Sequence, residues 1–299
     1  MKSLVTVTGA TGKIGKVLTE RLLKNGTRVR AVARSAENLA LLSAIGAETR
    51  AGSFDDAAFL TEAFRGADAV FILLPGSPPN VPDYLADQAR MTANVVQAIK
   101  ASRVERAVAL SAQGGGRVHS GSVASLTRLE ESLQSIDGLS LVILRSCFHM
   151  TNFLRTIQLI KQAGINAGAI HADLPMPMIT AHDIATVAAE YLMEPSFRGC
   201  QVRDLLGPRE YTHREATSIL GAAIGKPDLP YIESSYEQYC KNLLEMGFSV
   251  SGAETLTQTW VAVNDGPGST HPPRNASNTT PTTLEEFARN TFVRAYQAS

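Results

Sequence analysis

The segment Val5-Thr6-Val7-Thr8-Gly9-Ala10-Thr11-Gly12-Lys13-Ile14-Gly15 constrains this chain more than any other. A short β-branched strand runs into a turn with three glycines, and a helix follows over 16–24 with Leu18, Leu22 and Leu23 as its apolar stripe. Each glycine has its own reason. Gly9 makes the sharp exit from the strand, Gly12 removes the side chain where a backbone approaches a pyrophosphate, and Gly15 lets the helix pack closely on the sheet. A diphosphate placed there meets free N–H groups and the positive end of the helix dipole. The pattern is G-x-x-G-x-x-G, one residue wider than G-x-G-x-x-G, and its position between a strand and a helix is what gives it weight. It nominates Gly9, Thr11, Gly12, Lys13, Ile14 and Gly15 as cofactor-binding residues.

From Met1 to Leu144, short apolar strands alternate with amphipathic helices, the pattern of repeated βαβ units. Strands are expected at Leu4–Thr8, Arg28–Ala33, Glu48–Ala51, Ala69–Leu73, Arg106–Leu110 and Ser140–Leu144. The fold class that follows is α/β, a Rossmann-type doubly wound parallel sheet. The 299 residues allow a dinucleotide-binding domain over 1–150. The remainder, 151–299, is expected to complete the sheet and form a smaller C-terminal α/β substrate lobe.

Ligands of such sheets bind at the carboxyl ends of the strands, so the residues after each strand are the ones to read. After the second strand stands Ala33-Arg34-Ser35, with no acidic residue for the free ribose hydroxyls of NAD. Arg34 is placed to meet a 2′-phosphate, Ser35 adds a hydroxyl, and the cofactor expected is therefore NADP(H). A hydrogen bond to a charged group contributes roughly 1.5–3 kcal/mol, enough to prefer NADP over NAD. Ser53 and Phe54 follow the third strand, where the adenine edge lies, and Asp55 or Asp56 is a helix N-cap. Leu74 and Pro75 follow the fourth strand and line the cofactor ribose. Tyr84, at the start of a helix over Asp83–Lys100, reads as a packing residue.

Beyond Met150 the pattern changes. A helix is expected over Asn152–Gln162, a turn over 163–168, an irregular strand over Ile170–Ile179, and a helix over Ile184–Met193 capped by Asp183. Cys200–Leu205 reads as a strand. Thr212 with Glu215 forms a capping box for Arg214–Ile224. Tyr236, Tyr239, Leu243, Leu244 and Met246 are a stripe of core or substrate contacts. Residues 264–283, rich in Gly, Pro, Ser, Thr and Asn, read as a surface loop before a last helix, Leu284–Gln297, capped by Thr283.

Thr8-Gly9-Ala10-Thr11-Gly12-Lys13-Ile14-Gly15, Arg34, Leu110-Ser111-Ala112 and the run from Leu144 through His149 to Phe153 together resemble the NmrA-like branch of the atypical short-chain dehydrogenase/reductases. Ile179-Thr180-Ala181-His182-Asp183-Ile184-Ala185 and Thr279 to Phe287 extend the likeness over nearly the whole chain. The resemblance implies a Rossmann-type fold, NADP(H), and hydride transfer to small molecules. Similar proteins include NADPH-dependent quinone reductases, isoflavone-type and imine reductases, and a redox-sensing regulator without catalysis.

The larger superfamily protonates its substrate with Tyr-x-x-x-Lys, and no such pair exists in this sequence. Ser122 and Leu126 stand in the corresponding places. A missing general acid costs about 10²–10⁴ in rate where the substrate needs one, so the acceptor either takes hydride unaided, as quinones and iminium ions do, or draws a proton from elsewhere. His119, in the loop after the fifth strand, and His149, after the sixth, are the candidates, because histidine titrates near neutrality. By the same resemblance Ser111 occupies the place of the substrate-polarising hydroxyl, with Ala112 beside it at the cofactor and Gln113 just beyond.

The 28 basic and 28 acidic residues balance to zero net charge and are interspersed. Nothing suggests a nucleic-acid or membrane surface. The three cysteines, Cys147, Cys200 and Cys240, lack metal-ligand spacing, and no metal is expected. The amino terminus has no secretion signal, so the expectation is a cytoplasmic protein, monomer or homodimer. The reading is an NADPH-dependent oxidoreductase acting on a flat, conjugated quinone, enone, carbonyl or imine. The alternatives are an NADP(H)-sensing regulator and a non-redox isomerase or cyclase on the same scaffold.

Overall fold

The structure, a computed structural model, describes residues 3–116, 120–194, 196–265 and 270–299. Its centre is a sheet of seven parallel strands. Six come from the first half: β1 (Leu4–Thr8), β2 (Arg28–Ala33), β3 (Glu48–Ala51), β4 (Ala69–Ile72), β5 (Arg106–Ala112) and β6 (Ser140–Ser146). The second half supplies β7 (Phe148–His149), β8 (Asn166–Gly168), β9 (Met176–Ile179), β10 (Cys200–Leu205), β11 (Glu210–Tyr211) and β12 (Tyr231–Glu233). The large sheet runs β10-β6-β5-β4-β1-β2-β3. Strand order therefore reverses between β1 and β4, and that gap is where an open α/β sheet takes its ligand.

Both faces of the sheet are covered, as a parallel sheet requires. On one face Val5, Val7, Val29, Phe71, Val108, Val142 and Leu144 pack under α1 (Lys13–Lys24), α2 (Ala36–Ala44) and, from the second half, α7 (Ala181–Met193). On the other, Val32, Val70, Ile72, Leu141 and Ile143 meet α3 (Ala57–Phe64), α4 (Tyr84–Ser102) and α5 (Val123–Gln134). Alternate residues of one strand thus feed two separate cores, the direct result of the two-residue strand period.

The remaining helices build the smaller lobe: α6 (Ile157–Ala163), α8 (His213–Ala223), α9 (Tyr236–Glu245), α10 (Val250–Asp265) and a continuous closing helix made of α11 (Leu284–Phe287), a π turn over Ala288–Phe292 and α12 (Val293–Ala298). Its core gathers Met150, Phe153, Ile160, Met178, Tyr211, Leu220, Phe287 and Phe292. Strands β11-β9-β7 form a small sheet, and β8 pairs in parallel with β12.

Several sequence expectations are corrected. The helix after the glycine turn starts at Lys13, three residues earlier than expected, because Gly12 serves as its N-cap. Residues 163–168 are not all turn: Asn166–Gly168 is β8, ordered by β12 sixty-odd residues on. Met150–Thr156 is a 3₁₀ helix leading into α6. Of the two acidic candidates Asp56 caps α3, while Asp55 pairs with Arg90. Asp183 does not cap α7; Thr180 does, and the Asp183 carboxylate accepts hydrogen bonds from Thr282 N (3.0 Å) and Thr282 Oγ1 (2.7 Å), pinning the closing segment to α7. Thr212 caps α8, but Glu215 turns to Arg209 and leaves the box open. Thr283 and Glu286 do form a reciprocal capping box. Residues 264–283 are not a plain surface loop, since Asn264 and Asp265 belong to α10 and Asn278 and Thr280 are buried.

Candidate active site

The glycine turn has the shape a diphosphate needs. Gly9 has φ +63°, in the left-handed region, where a Cβ would also meet Leu73 Cδ2 at 3.0 Å. A Cβ on Gly15 would lie 2.2 Å from the Gly9 carbonyl oxygen, so α1 rests directly on the turn. No side chain caps α1 at Gly12, and the amides of its first turn stay free for an anion. Thr8 Oγ1 donates to Phe71 O (2.9 Å) and accepts from Leu73 N (2.9 Å), clamping the ends of β1 and β4 at the switch point.

The other nominated residues fall around this turn. Thr11 is half-buried on it, and Ile14 is buried beneath it. The Lys13 ammonium reaches the other way and donates to Thr151 O (3.2 Å). Partial burial, with Arg155 nearby, holds its pKa below the ordinary lysine value. Arg34 is exposed just past β2, without a hydrogen-bond or ion-pair partner among the described residues. Ser35 caps α2 by accepting from Asn38 N (3.2 Å). Ser53 donates to Asp55, and the buried Phe54 offers its carbonyl to Asn94. Pro75 O accepts from Gln88, and Leu74 is buried at the wall of the adjoining cleft.

That cleft, about 270 Å³, opens at the carboxyl ends of β4, β5 and β6. Leu73, Leu74, Leu110, Ala112 and Cys147 form its floor, and Val123, Leu126, Phe148, Met176, Trp260 and Val263 its apolar walls. Burial pushes the Cys147 thiol far up, so it stays protonated. The polar lining consists of Ser111, Gln113, Ser122, Ser146, His149, Asn152 and Thr259.

Two of the candidate proton-handling groups are committed elsewhere. Ser111 Oγ donates to Glu130 Oε1 (2.5 Å), and Arg145 grips the same carboxylate through Nε (3.1 and 3.2 Å) and Nη2 (2.6 Å). The pair raises the Arg145 pKa, chiefly through the hydrogen bond to Glu130. Gly115 and Gly116 fold over this buried triad, where a Cβ on either would sit 2.2–2.3 Å from Glu130 Oε1 or Arg145 Nη2. With its hydrogen directed at Glu130 Oε1, the Ser111 hydroxyl has only its lone pairs for a further contact. Ser146 Oγ donates to Ser111 O (3.1 Å) and therefore accepts from His149 Nε2–H (2.8 Å). Burial first, and Arg155 second, lower the His149 pKa to about 4. His149 is thus a neutral cleft wall at physiological pH rather than a proton-donating imidazolium. His119 lies outside the described residues.

A model of the family described as NAD(P)H-binding matches residues 9–195, well over half of the chain and the whole of the turn. The chain belongs to the NAD(P)H-binding family. It is 30% identical over 226 residues, 75% of each chain, to a (4-alkanoyl-5-oxo-2,5-dihydrofuran-3-yl)methyl phosphate reductase of Streptomyces griseus. It is 27% identical over 266 residues, 86% of each chain, to an NAD(P)H azoreductase of Xenophilus azovorans. The NADPH-dependent quinone oxidoreductase of Escherichia coli, solved with NADPH, superposes with a TM-score of 0.78 over 96% of this chain and 99% of its own, at 23% identity. As a class, this member of the NAD(P)H-binding family is an NAD(P)H-dependent oxidoreductase on a Rossmann-type scaffold.

Sequence reasoning missed Glu130, Arg145 and the whole Thr259–Val263 wall. A signal for Glu130 was present, since Leu126, Glu130 and Leu133 stand at i, i+4 and i+7 and put a carboxylate on the apolar stripe of α5. Among the described residues no group of three or more His, Cys, Asp or Glu could hold a metal, and no helix is long and apolar enough to cross a membrane.

Proposed function

We propose that this protein reduces a flat, conjugated small molecule of the quinone, azo or enone type with NADPH, without a dedicated acid among the described residues of the cleft. The observation that carries this is the chemistry of the cleft. Its walls are largely apolar, the Ser111 hydroxyl donates its hydrogen bond to Glu130, and His149 is neutral with its N–H bonded to Ser146. Such a cleft suits an acceptor whose reduction needs no proton in the transition state and is poorly suited to an ordinary alcohol–ketone couple.

The free amides at the start of α1 hold the diphosphate, and the exposed Arg34 with Ser35 holds the 2′-phosphate, which favours NADPH over NADH. Leu73, Leu74 and Leu110 shape the floor under the nicotinamide, which supplies the hydride when bound. Phe148, Trp260, Val123 and Met176 keep the acceptor planar and exclude water, and positioning of this kind contributes several kcal/mol to a bimolecular step. The names of the relatives, an azoreductase, an unsaturated-lactone phosphate reductase and a quinone oxidoreductase, agree with such an acceptor.

The test is NADPH oxidation followed at the nicotinamide absorbance over a panel of quinones, azo compounds, enones and simple ketones. Turnover with the conjugated acceptors and not with the ketones is expected. Tight NADPH binding with no turnover on any acceptor would overturn the proposal.

A further inference from the structure

Behind the wall formed by Phe148, Asn152 and Trp260 lies a second cavity of about 200 Å³, which shares those three residues with the first. Its sides are aromatic. His213 packs edge-on against Phe148 (ring centroids 5.0 Å, 81°) and tilts against Phe153 (5.6 Å) and Tyr231 (5.4 Å), and Tyr239 completes the ring. The position of the cavity in the fold follows from β8 pairing with β12 on one side and the 3₁₀ helix over Met150–Thr156 on the other.

Three features set this cavity apart from a packing defect. His213 is 4% exposed and Asn166 1% exposed, yet His213 Nδ1 and Asn166 Oδ1 have no hydrogen-bond partner among the described residues. Buried polar atoms without partners are destabilising, and both residues line this one cavity. At the rim, Arg155 also lines the cavity, without a hydrogen-bond or ion-pair partner among the described residues, and with Lys13 as a second cation close by. Burial lowers the His213 pKa to about 4, so the interior contributes no charge and the positive potential belongs to the rim. Finally, the first cleft alone, about 270 Å³, falls short of the ~300–1,000 Å³ that a drug-sized ligand occupies, and the second cavity, about 200 Å³, adjoins it across the shared side chains of Phe148, Asn152 and Trp260.

We propose that the aromatic cavity is a second substrate subsite, taking the distal ring of an elongated conjugated acceptor and holding an anionic substituent of that ring, a carboxylate or sulfonate, against the Arg155 guanidinium. The proposal rests on the reductase reading of the first cleft and adds the shape and charge of the substrate. Trp260 and Phe148 line both cavities and stack on the bridging part of such a molecule. The planar fork of Arg155 suits an oxyanion in two-point contact.

The probes are anthraquinone-2-sulfonate and its uncharged sulfonamide, with 1,4-benzoquinone as a single-ring acceptor that needs only the first cleft. Binding is read by calorimetry on protein saturated with NADP⁺, and turnover by NADPH oxidation. The parent protein should bind the sulfonate about 10- to 100-fold more tightly than the sulfonamide. Arg155→Met, a change at an exposed position, should abolish that ratio and leave the kcat and KM for benzoquinone unchanged. Ala167→Phe, which fills the cavity from β8, should weaken both anthraquinones and spare benzoquinone. Equal affinity for sulfonate and sulfonamide in the parent, or a ratio that survives Arg155→Met, would overturn the subsite while leaving benzoquinone reduction intact. Failure to reduce benzoquinone or any other acceptor would instead count against the reductase reading, and the calorimetric ratio would still decide the subsite.

Discussion

Arg145→Met strips the cation from a carboxylate that has nowhere else to turn. The side chain of Glu130 is 2% exposed and that of Arg145 17% exposed, and the guanidinium makes three contacts of 2.6–3.2 Å to the two carboxylate oxygens. Without it, Glu130 keeps only the Ser111 hydroxyl among the described residues, in a buried position. Removing one member of a buried pair in this way costs about 3–5 kcal/mol. With ~2.1 cal/mol/K of unfolding entropy per residue, that loss lowers the Tm of a chain of 299 residues by roughly 5–8 °C. Glu130→Gln should cost less, about 1–3 kcal/mol, because Arg145 is the more exposed partner and water can reach the N–H groups it leaves behind. Changing both together, Glu130→Leu with Arg145→Met, should recover most of the loss, since an apolar pair incurs no desolvation penalty. Urea unfolding of the parent, Arg145→Met, Glu130→Leu and the double variant closes a double-mutant cycle, and Glu130→Gln is unfolded beside them. The reasoning is refuted if Arg145→Met lies within 1 kcal/mol of the parent (an order-of-magnitude threshold), or if the double variant is as unstable as Arg145→Met alone.

Gly15→Ala places a Cβ 2.2 Å from the Gly9 carbonyl oxygen, so the turn must move away from α1. Affinity for NADPH should fall about tenfold or more while the circular dichroism stays that of the parent; unchanged affinity would show that the turn does not hold the coenzyme. His149 and His213 are both held neutral, with pKa values of about 4 in the folded chain against ~6.5 unfolded. Between those values the unfolded chain binds more protons, so stability falls as pH is lowered from 6.5 towards 4, by up to about 1.4 kcal/mol per pH unit for each histidine. His213→Phe should flatten the dependence of Tm on pH over that window, and an unaltered slope would argue against the assignment.

The architecture was legible because its signals are local. β1, β2, β3 and β10 have the limits read from runs of β-branched and apolar residues, and the glycine turn lies between strand and helix as its spacing requires. What escaped was set by partners far along the chain. Strands β5 and β6 each run two residues past their apolar stretch, because Ser111 pairs with Arg145 and Ala112 with Ser146 in the ladder; Ser111 thereby stands within a strand, facing Glu130. Helix α10 contains Gly252, Thr255, Thr257 and Thr259, all poor helix formers. It is held by the contacts of Ser249 N with Pro79 O and of Tyr84 N with Ser251 Oγ. Its Trp260 forms part of the cleft wall, so a helix invisible to propensity carries part of the site. Asp183 reads as a cap from its neighbours alone, and only the return of Thr282, 99 residues later, shows what its carboxylate does.

The central claim is that the amino-terminal turn and Arg34 together bind NADPH in preference to NADH. Calorimetric titration of both nucleotides into the parent protein and into Arg34→Ala tests it most directly. NADPH should bind about 10- to 100-fold more tightly than NADH to the parent, and Arg34→Ala should erase that difference with NADH affinity unchanged. No binding of NADPH, or an equal loss for both nucleotides in the variant, would contradict it.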